Sequence, residues 1–188
     1  GVTVERILSG GTRVVDAIRH TTATGEHKWF LGVLAAGFDA VVNERANQLR
    51  WPKGPMRYNL AILRELPVFR AIPYGLVLDG QRIDTEAMLV AVGNGPAYGG
   101  GMRVTPGASF DDGLLDVLIL NKISTFEFLR VFPQVFKGAH ESHPAVQILQ
   151  AKSVRLEASG IVSYADGERF APLPMTMEVV PGALTVLA

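Results

Sequence analysis

Apolar and polar positions along the chain alternate between two kinds of pattern. Thr12 to Ile18 (TRVVDAI) is β-branched with one acid in it and predicts a strand. Lys28 to Ala36 is largely apolar and is followed by Gly37-Phe38-Asp39, which predicts a buried strand turning into a helix. Asp39 would stand near the helix N-terminus, where a carboxylate is favoured by the exposed amides and the dipole, so capping is its expected role. From Val41 to Arg70 the spacing is helical. Val42, Ala46 and Leu49 recur at it, Trp51-Pro52-Lys53-Gly54-Pro55 breaks it, and Leu60, Ile62, Leu63 and Leu66 resume it. Two helices joined by a Trp-Pro turn follow, an insert at about Asp39 to Phe69.

From Ile72 onward the pattern is β. Gly75 to Leu78, Asp79-Gly80 and Arg82 to Val92 predict a hairpin on an Asp-Gly turn. Leu115 to Asn121 predicts another strand, and Thr125 to Phe136 a helix interrupted at Pro133. Short strands are then expected at Val146 to Ala158, Ile161 to Ala165, Met175 to Val180 and Leu184 to Leu187. These elements predict an α+β domain, mainly β: an antiparallel sandwich with a helical insert. Residues 1–11, which end in a Ser-Gly-Gly hinge, are expected to be a flexible N-terminal segment or the remnant of an upstream part, and residues 12–188 to form the domain.

The longest irregular stretch, Gly93 to Val117 (GNGPAYGGGMRVTPGASFDDGLLDV), lies between two apolar runs, and loops of this length in compact domains are usually functional or disordered. It ends in Asp111-Asp112-Gly113. A hard cation accepts one carboxylate, backbone carbonyls and waters from such a loop, whereas a plain turn needs none of them. The three glycines at Gly99 to Gly101 form no phosphate cradle, because Met102 to Thr105 reads as extended and a phosphate favours a helix N-terminus.

Composition narrows the function classes. With 188 residues, 48% hydrophobic and 19% charged, the chain can bury a real core. Its formal net charge is +0, so no global field draws it to nucleic acid or to anionic membranes, and electrostatic recognition must come from local patches. With Cys 0 there is neither disulfide nor thiolate chemistry, which fits a reducing compartment. No P-loop, dinucleotide fingerprint or Gly-x-Ser-x-Gly elbow is present. Arg45, Arg50, Lys53, Arg57, Arg64 and Arg70, interleaved with Trp51, Met56 and Tyr58, fit either a membrane interface or a solvated helical face diluted by Glu44 and Glu65. His140 and His143, with Glu141 between them, read as part of a polar loop, since their spacing supplies no third metal ligand. Asp166-Gly167-Glu168 places two carboxylates across a glycine, the make-up of a hairpin turn and also of a small acidic site.

The order Gly99-Gly100-Gly101, Pro106, Ala108, Asp112-Gly113-Leu114, together with FLGVLAAGFDA at Phe30 to Ala40 and YADGE at Tyr164 to Glu168, resembles the C-terminal domain of the diacylglycerol kinase catalytic-domain family of bacterial lipid kinases. The match is collinear from about Thr12 to the end. The resemblance implies the second domain of a two-domain, ATP-dependent lipid kinase that phosphorylates diacylglycerol or a related lipid. It places Glu168 at the family's proton-acceptor position, and Asp166 and Asp16 in its aspartate–water–magnesium network. It also implies a structural Mg²⁺ held by Asp112 and by the carbonyls of Ser109 and Leu114. ATP would be bound mainly by an N-terminal domain carrying Gly-Gly-Asp-Gly-Thr, a string that this chain does not contain. Because the chain begins at Gly1 rather than Met, an upstream part is expected to be missing from it. The partners implied are the lipid, ATP, a peripheral membrane contact in the cytoplasm and a possible homodimer through an exposed apolar edge. Gly32 departs from the family, where asparagine is common. The other reading that the residues allow is a non-catalytic lipid- or metal-binding sandwich.

Overall fold

The computed structural model describes residues 10–49, 51, 55–98 and 101–187. The expected N-terminal segment before residue 10, most of the Trp-Pro turn and two of the three consecutive glycines therefore lie outside the described residues. The elements in chain order are β1 (Thr12–Thr21), β2 (His27–Phe30), β3 (Val33–Gly37), α1 (Phe38–Gln48), α2 (Pro55–Glu65), β4 (Ile72–Leu78) and β5 (Gln81–Gly93). They continue with β6 (Leu115–Asn121), α3 (Thr125–Val131), β7 (Val146–Ala151), β8 (Ser153–Glu157), β9 (Val162–Ala165), β10 (Glu168–Pro172) and β11 (Met175–Leu187). Two 3₁₀ turns, Phe132–Lys137 and Ala139–Ser142, connect α3 to β7.

All strands join one 11-stranded sheet with the order β10-β9-β3-β5-β4-β8-β11-β1-β2, and β6 and β7 branch from β5. Every pairing is antiparallel. The branch arises within β5. Its first half pairs with β4, and beyond Ala87, where the register shifts, it lies between β3 and β6. The sheet curls because one apolar cluster draws on strands from both ends of this order: Ile18, Phe30, Leu34, Leu76, Val90, Val117, Leu156, Ala165, Ala171 and Met177. A flat sheet could not bring these side chains together.

Alternation along β5 and β6 supplies a second layer. Val90, Val92, Val117 and Ile119 point into the curl, while Met88, Ala91, Leu118 and Leu120 point outward into a cluster with Phe38 and Val42 of α1, Ile62 and Leu66 of α2 and Phe128 of α3. Phe38 is the centre of this layer, with edge-on contacts to Phe69 and Phe128 at 5.2 and 4.9 Å.

Several boundaries differ from the sequence reading. The run at Lys28 to Ala36 is two strands, because the chain bends at Leu31-Gly32. The run at Val146 to Ala158 likewise divides at Lys152, and β10 had no apolar signal of its own. Met175 to Leu187 is one strand rather than two, with an irregularity opposite Asp16: Val15 pairs with Leu184 but Ala17 with Val180. The extra residues on β11 form a bulge containing Gly182, at φ 63°. Asp39 is not the helix cap. Gly37 holds that position, at φ 113°, and Asp39 is buried in the first turn, where its Oδ2 accepts a hydrogen bond from the Asn43 amide at 3.1 Å.

Candidate functional site

Asp166-Gly167 is the tight turn between β9 and β10, and both of its residues have positive φ, 50° and 89°. That geometry favours Asp-Gly, so the turn reading of this tripeptide holds. The Asp166 carboxylate has a further job. Oδ2 accepts from the Leu31 N–H at 2.9 Å, and Oδ1 accepts from the Gly32 and Val33 N–H groups at 3.0 and 3.1 Å. It therefore fixes the bend between β2 and β3. Gly32 makes this approach possible, because a Cβ there would lie 2.7 Å from Asp166 Oδ1. The same device recurs at the other Asp-Gly turn. Asp79, at φ 48°, accepts from the Lys152 and Ser153 N–H groups at the division between β7 and β8. Glu168 begins β10 opposite Ala165 and is exposed, and its side chain makes no hydrogen bond or ion pair among the described residues.

Asp16 sits opposite the β11 bulge and is only 3% exposed. Its Oδ1 accepts from Gly182 N–H and its Oδ2 from Gly113 N–H, each at 2.8 Å. Its own N–H donates to Phe110 O at 2.6 Å, and its carbonyl accepts from Asn94 Nδ2 at 3.0 Å. Asn94 also donates to Leu31 O at 3.1 Å, and its backbone N–H donates to Gly32 O at 2.9 Å. One buried amide thus joins β1, the β2–β3 bend and the start of the long loop at residues 94–114. The sequence reading did not single out Asn94. The available signal was a polar residue ending the apolar run of β5, between two glycines whose side-chain positions are filled by Thr105 and by the ring of Phe110.

The loop is therefore anchored at both ends. Asp112 is exposed, and its Oδ1 accepts from Leu114 N–H at 3.0 Å. Asp111 is held by Ser109 Oγ and Arg13, each at 2.7 Å, and both contacts keep its carboxyl below the usual range. Four residues beyond Asp112, Asp116 is 4% exposed and one of its carboxylate oxygens has no hydrogen-bond partner. Burial raises its pKa, the Gln150 amide opposes that, and the charges of Asp112 and Glu141 raise it further. The exposed Asp112 carboxylate and the backbone carbonyls of Ser109 and Leu114 are the oxygen groups of this loop that could hold a hard cation. Among the described residues no group of three or more His, Asp or Glu side chains forms a metal site. His140 is instead a buried anchor, its Nε2 3.0 Å from Val104 O, and His143 pairs with Glu127 at 3.3 Å.

Two apolar recesses flank these groups. An open cleft of about 400 Å³ is lined by Ala17, Trp29, Phe30, Leu31, Asp166, Ala183 and Leu184, and so lies between the Asp16 and Asp166 corners. A narrower recess of about 60 Å³ lies between the outer face of β5 and β6 and the helices, walled by Phe38, Leu118, Leu120, Phe128, Val131 and Phe132. No helix among the described residues is long and apolar enough to cross a membrane.

Residues 32–188 match the family model of the YegS C-terminal NAD kinase beta sandwich-like domain. A diacylglycerol kinase of Mycobacterium tuberculosis is 44% identical over 96% of the chain and 59% of its own length. A diacylglycerol kinase of Bacillus subtilis is 25% identical over 93% of the chain and again 59% of its own length. A crystal structure of a diacylglycerol kinase from Bacillus anthracis superposes with a TM-score of 0.64 at 22% identity, covering 97% of this chain and 56% of that one. The chain thus spans less than two thirds of the length of these relatives. On the match over residues 32–188, this chain belongs to the YegS C-terminal NAD kinase beta sandwich-like domain family.

Proposed function

We propose that this domain is the lipid-facing half of an ATP-dependent kinase that phosphorylates the hydroxyl of diacylglycerol or a related lipid. Relatives named diacylglycerol kinase match over nearly the whole chain, which supports the kinase reading. The observation that carries it is the division of labour in the Asp166-Gly167-Glu168 turn. Asp166 has its carboxylate committed to three backbone amides, whereas Glu168 projects without a partner from a turn fixed by that commitment.

Glu168 accepts the proton of the lipid hydroxyl as its oxygen attacks the γ-phosphorus of ATP; the bond to the β-phosphate oxygen breaks and ADP leaves. Asp166 and Asp16 position rather than react. Asp166 holds the bend that forms the floor of the 400 Å³ cleft, and Asp16 holds Gly113, next to the cation-binding Asp112. Mg²⁺ bound at Asp112, Ser109 and Leu114 would supply structural rigidity to the long loop. The portion of the relatives outside the match would supply the nucleotide site. The apolar cavity behind α3 would take acyl chain once α3 moves outward, since 60 Å³ is far below the roughly 300–1,000 Å³ of ordinary ligand pockets.

The full-length protein is tested with ATP, Mg²⁺ and a series of lipid alcohols. Phosphorylation of diacylglycerol is expected; turnover of none of the lipids would overturn the reading and favour a binding module.

A further inference from the structure

α3 and the 3₁₀ turn that follows it are apolar on two sides. Phe128, Val131, Phe132 and Val135 face inward and wall the cavity. On the outward side, Phe126 is 77% exposed, Phe136 49% and Leu129 46%. Positions 126, 129 and 130 share one face of a helix, and Pro133, Phe136 and Lys137 carry that stripe onward. A surface helix normally presents polar residues to water, so an outer stripe of this kind needs an apolar partner.

The charge around it selects the partner. Arg130 and Lys137 lie in the stripe, and Arg103 and Lys122 border it: the Arg103 N–H bonds Val135 O, and Lys122 precedes α3. Nearby acids are Glu141, Glu127, which pairs with His143, and Glu86, which pairs with Lys122 at 3.8 Å, so Arg130, Lys137 and Arg103 carry the positive charge of this surface. We propose that this stripe is where the molecule docks on a lipid bilayer with anionic headgroups. The phenylalanines enter the headgroup–acyl boundary and the cations meet the lipid phosphates. This rests on the lipid-kinase reading and adds to it a route: the helix that docks is the same helix that walls the apolar cavity.

The test uses the full-length protein and vesicles that contain no diacylglycerol, read by co-sedimentation. Vesicles of phosphatidylcholine with phosphatidylserine should carry it down, and raising the salt should release part of it. Phe126→Ser with Phe136→Ser should lower the partition coefficient by roughly tenfold or more. Arg130→Gln with Lys137→Gln should lower it by a similar factor on anionic vesicles only. Both double variants should keep wild-type turnover of a monodisperse short-chain diacylglycerol, which separates failed docking from failed chemistry. Wild-type partition in the Phe126/Phe136 variant would overturn the proposal. So would loss of self-association in that variant with vesicle binding unchanged, because the stripe would then face a second copy.

Discussion

Asp166 shows how far a residue's role can be read from its neighbours in sequence. The turn-forming role followed from Asp-Gly alone. The three amides that it caps lie more than 130 positions away and left no local trace. Gly32 was visible only as a departure from the family, yet it marks the place where Asp166 Oδ1 occupies the space of a side chain. Asp79 provides an internal control with nearly the same φ and two capped amides, the Lys152 N–H being shared between its two oxygens. Asp79→Ala and Asp166→Ala should each cost on the order of 1–2 kcal/mol, since the freed amides are partly open to water. Only Asp166→Ala should also lower turnover in the full-length protein. Equal turnover losses in the two variants would mean that Asp166 acts through stability alone. Asp16→Ala should cost more, about 3 kcal/mol, because the Asp16 carboxylate is itself buried and a buried acceptor of two amides is lost.

At the scale of elements, the strands and helices with clean periodicity appear where the sequence placed them: β1, the β4–β5 hairpin, β6 and α3 with its break before Pro133. Misreadings occurred where tertiary contacts decide a boundary, as at the bend capped by Asp166 and the bulge facing Asp16. The long loop follows the same rule. Its length suggested function, but its anchoring by Asn94, Thr105 and Asp16 could not be seen before folding. If Asp112 holds a cation, Mg²⁺ at a hundred times its dissociation constant should stabilise the native state by about 2.7 kcal/mol. Asp112→Ala should abolish that gain in thermal midpoint, and an undiminished gain would place the ion elsewhere.

Asp116 behind this loop predicts a pH effect. Its folded pKa is raised above the unfolded value, so the folded state holds its proton more tightly. Its contribution to stability is fully present below the unfolded value and is lost as pH rises through the folded one. In metal-free protein, Asp116→Asn should therefore raise the thermal midpoint at pH 7, and the difference should shrink towards pH 4. A difference independent of pH would show that the carboxylate is already relieved.

For the whole molecule, the sandwich class and helical insert were legible because one buried face per strand leaves an alternating pattern. The curl was not, since it depends on which strands become neighbours. Nor does the sheet specify the acceptor lipid. The relatives are longer than the matched region, and the chain carries no Gly-Gly-Asp-Gly-Thr string, so the 188-residue chain alone should phosphorylate nothing. ATP-dependent turnover by it would contradict the division of the nucleotide and lipid sites.

In the proposed mechanism Glu168 is the proton acceptor and Asp166 its support. In the full-length protein, Glu168→Gln keeps the shape of the side chain and removes its basicity. Under saturating lipid, kcat should fall about 10²–10⁴-fold with the KM for ATP little changed. Asp166→Asn should show a smaller loss of kcat together with a lowered thermal midpoint. Near-normal kcat in Glu168→Gln would contradict the account; if Asp166→Asn were then the inactive variant, the two roles would be reversed.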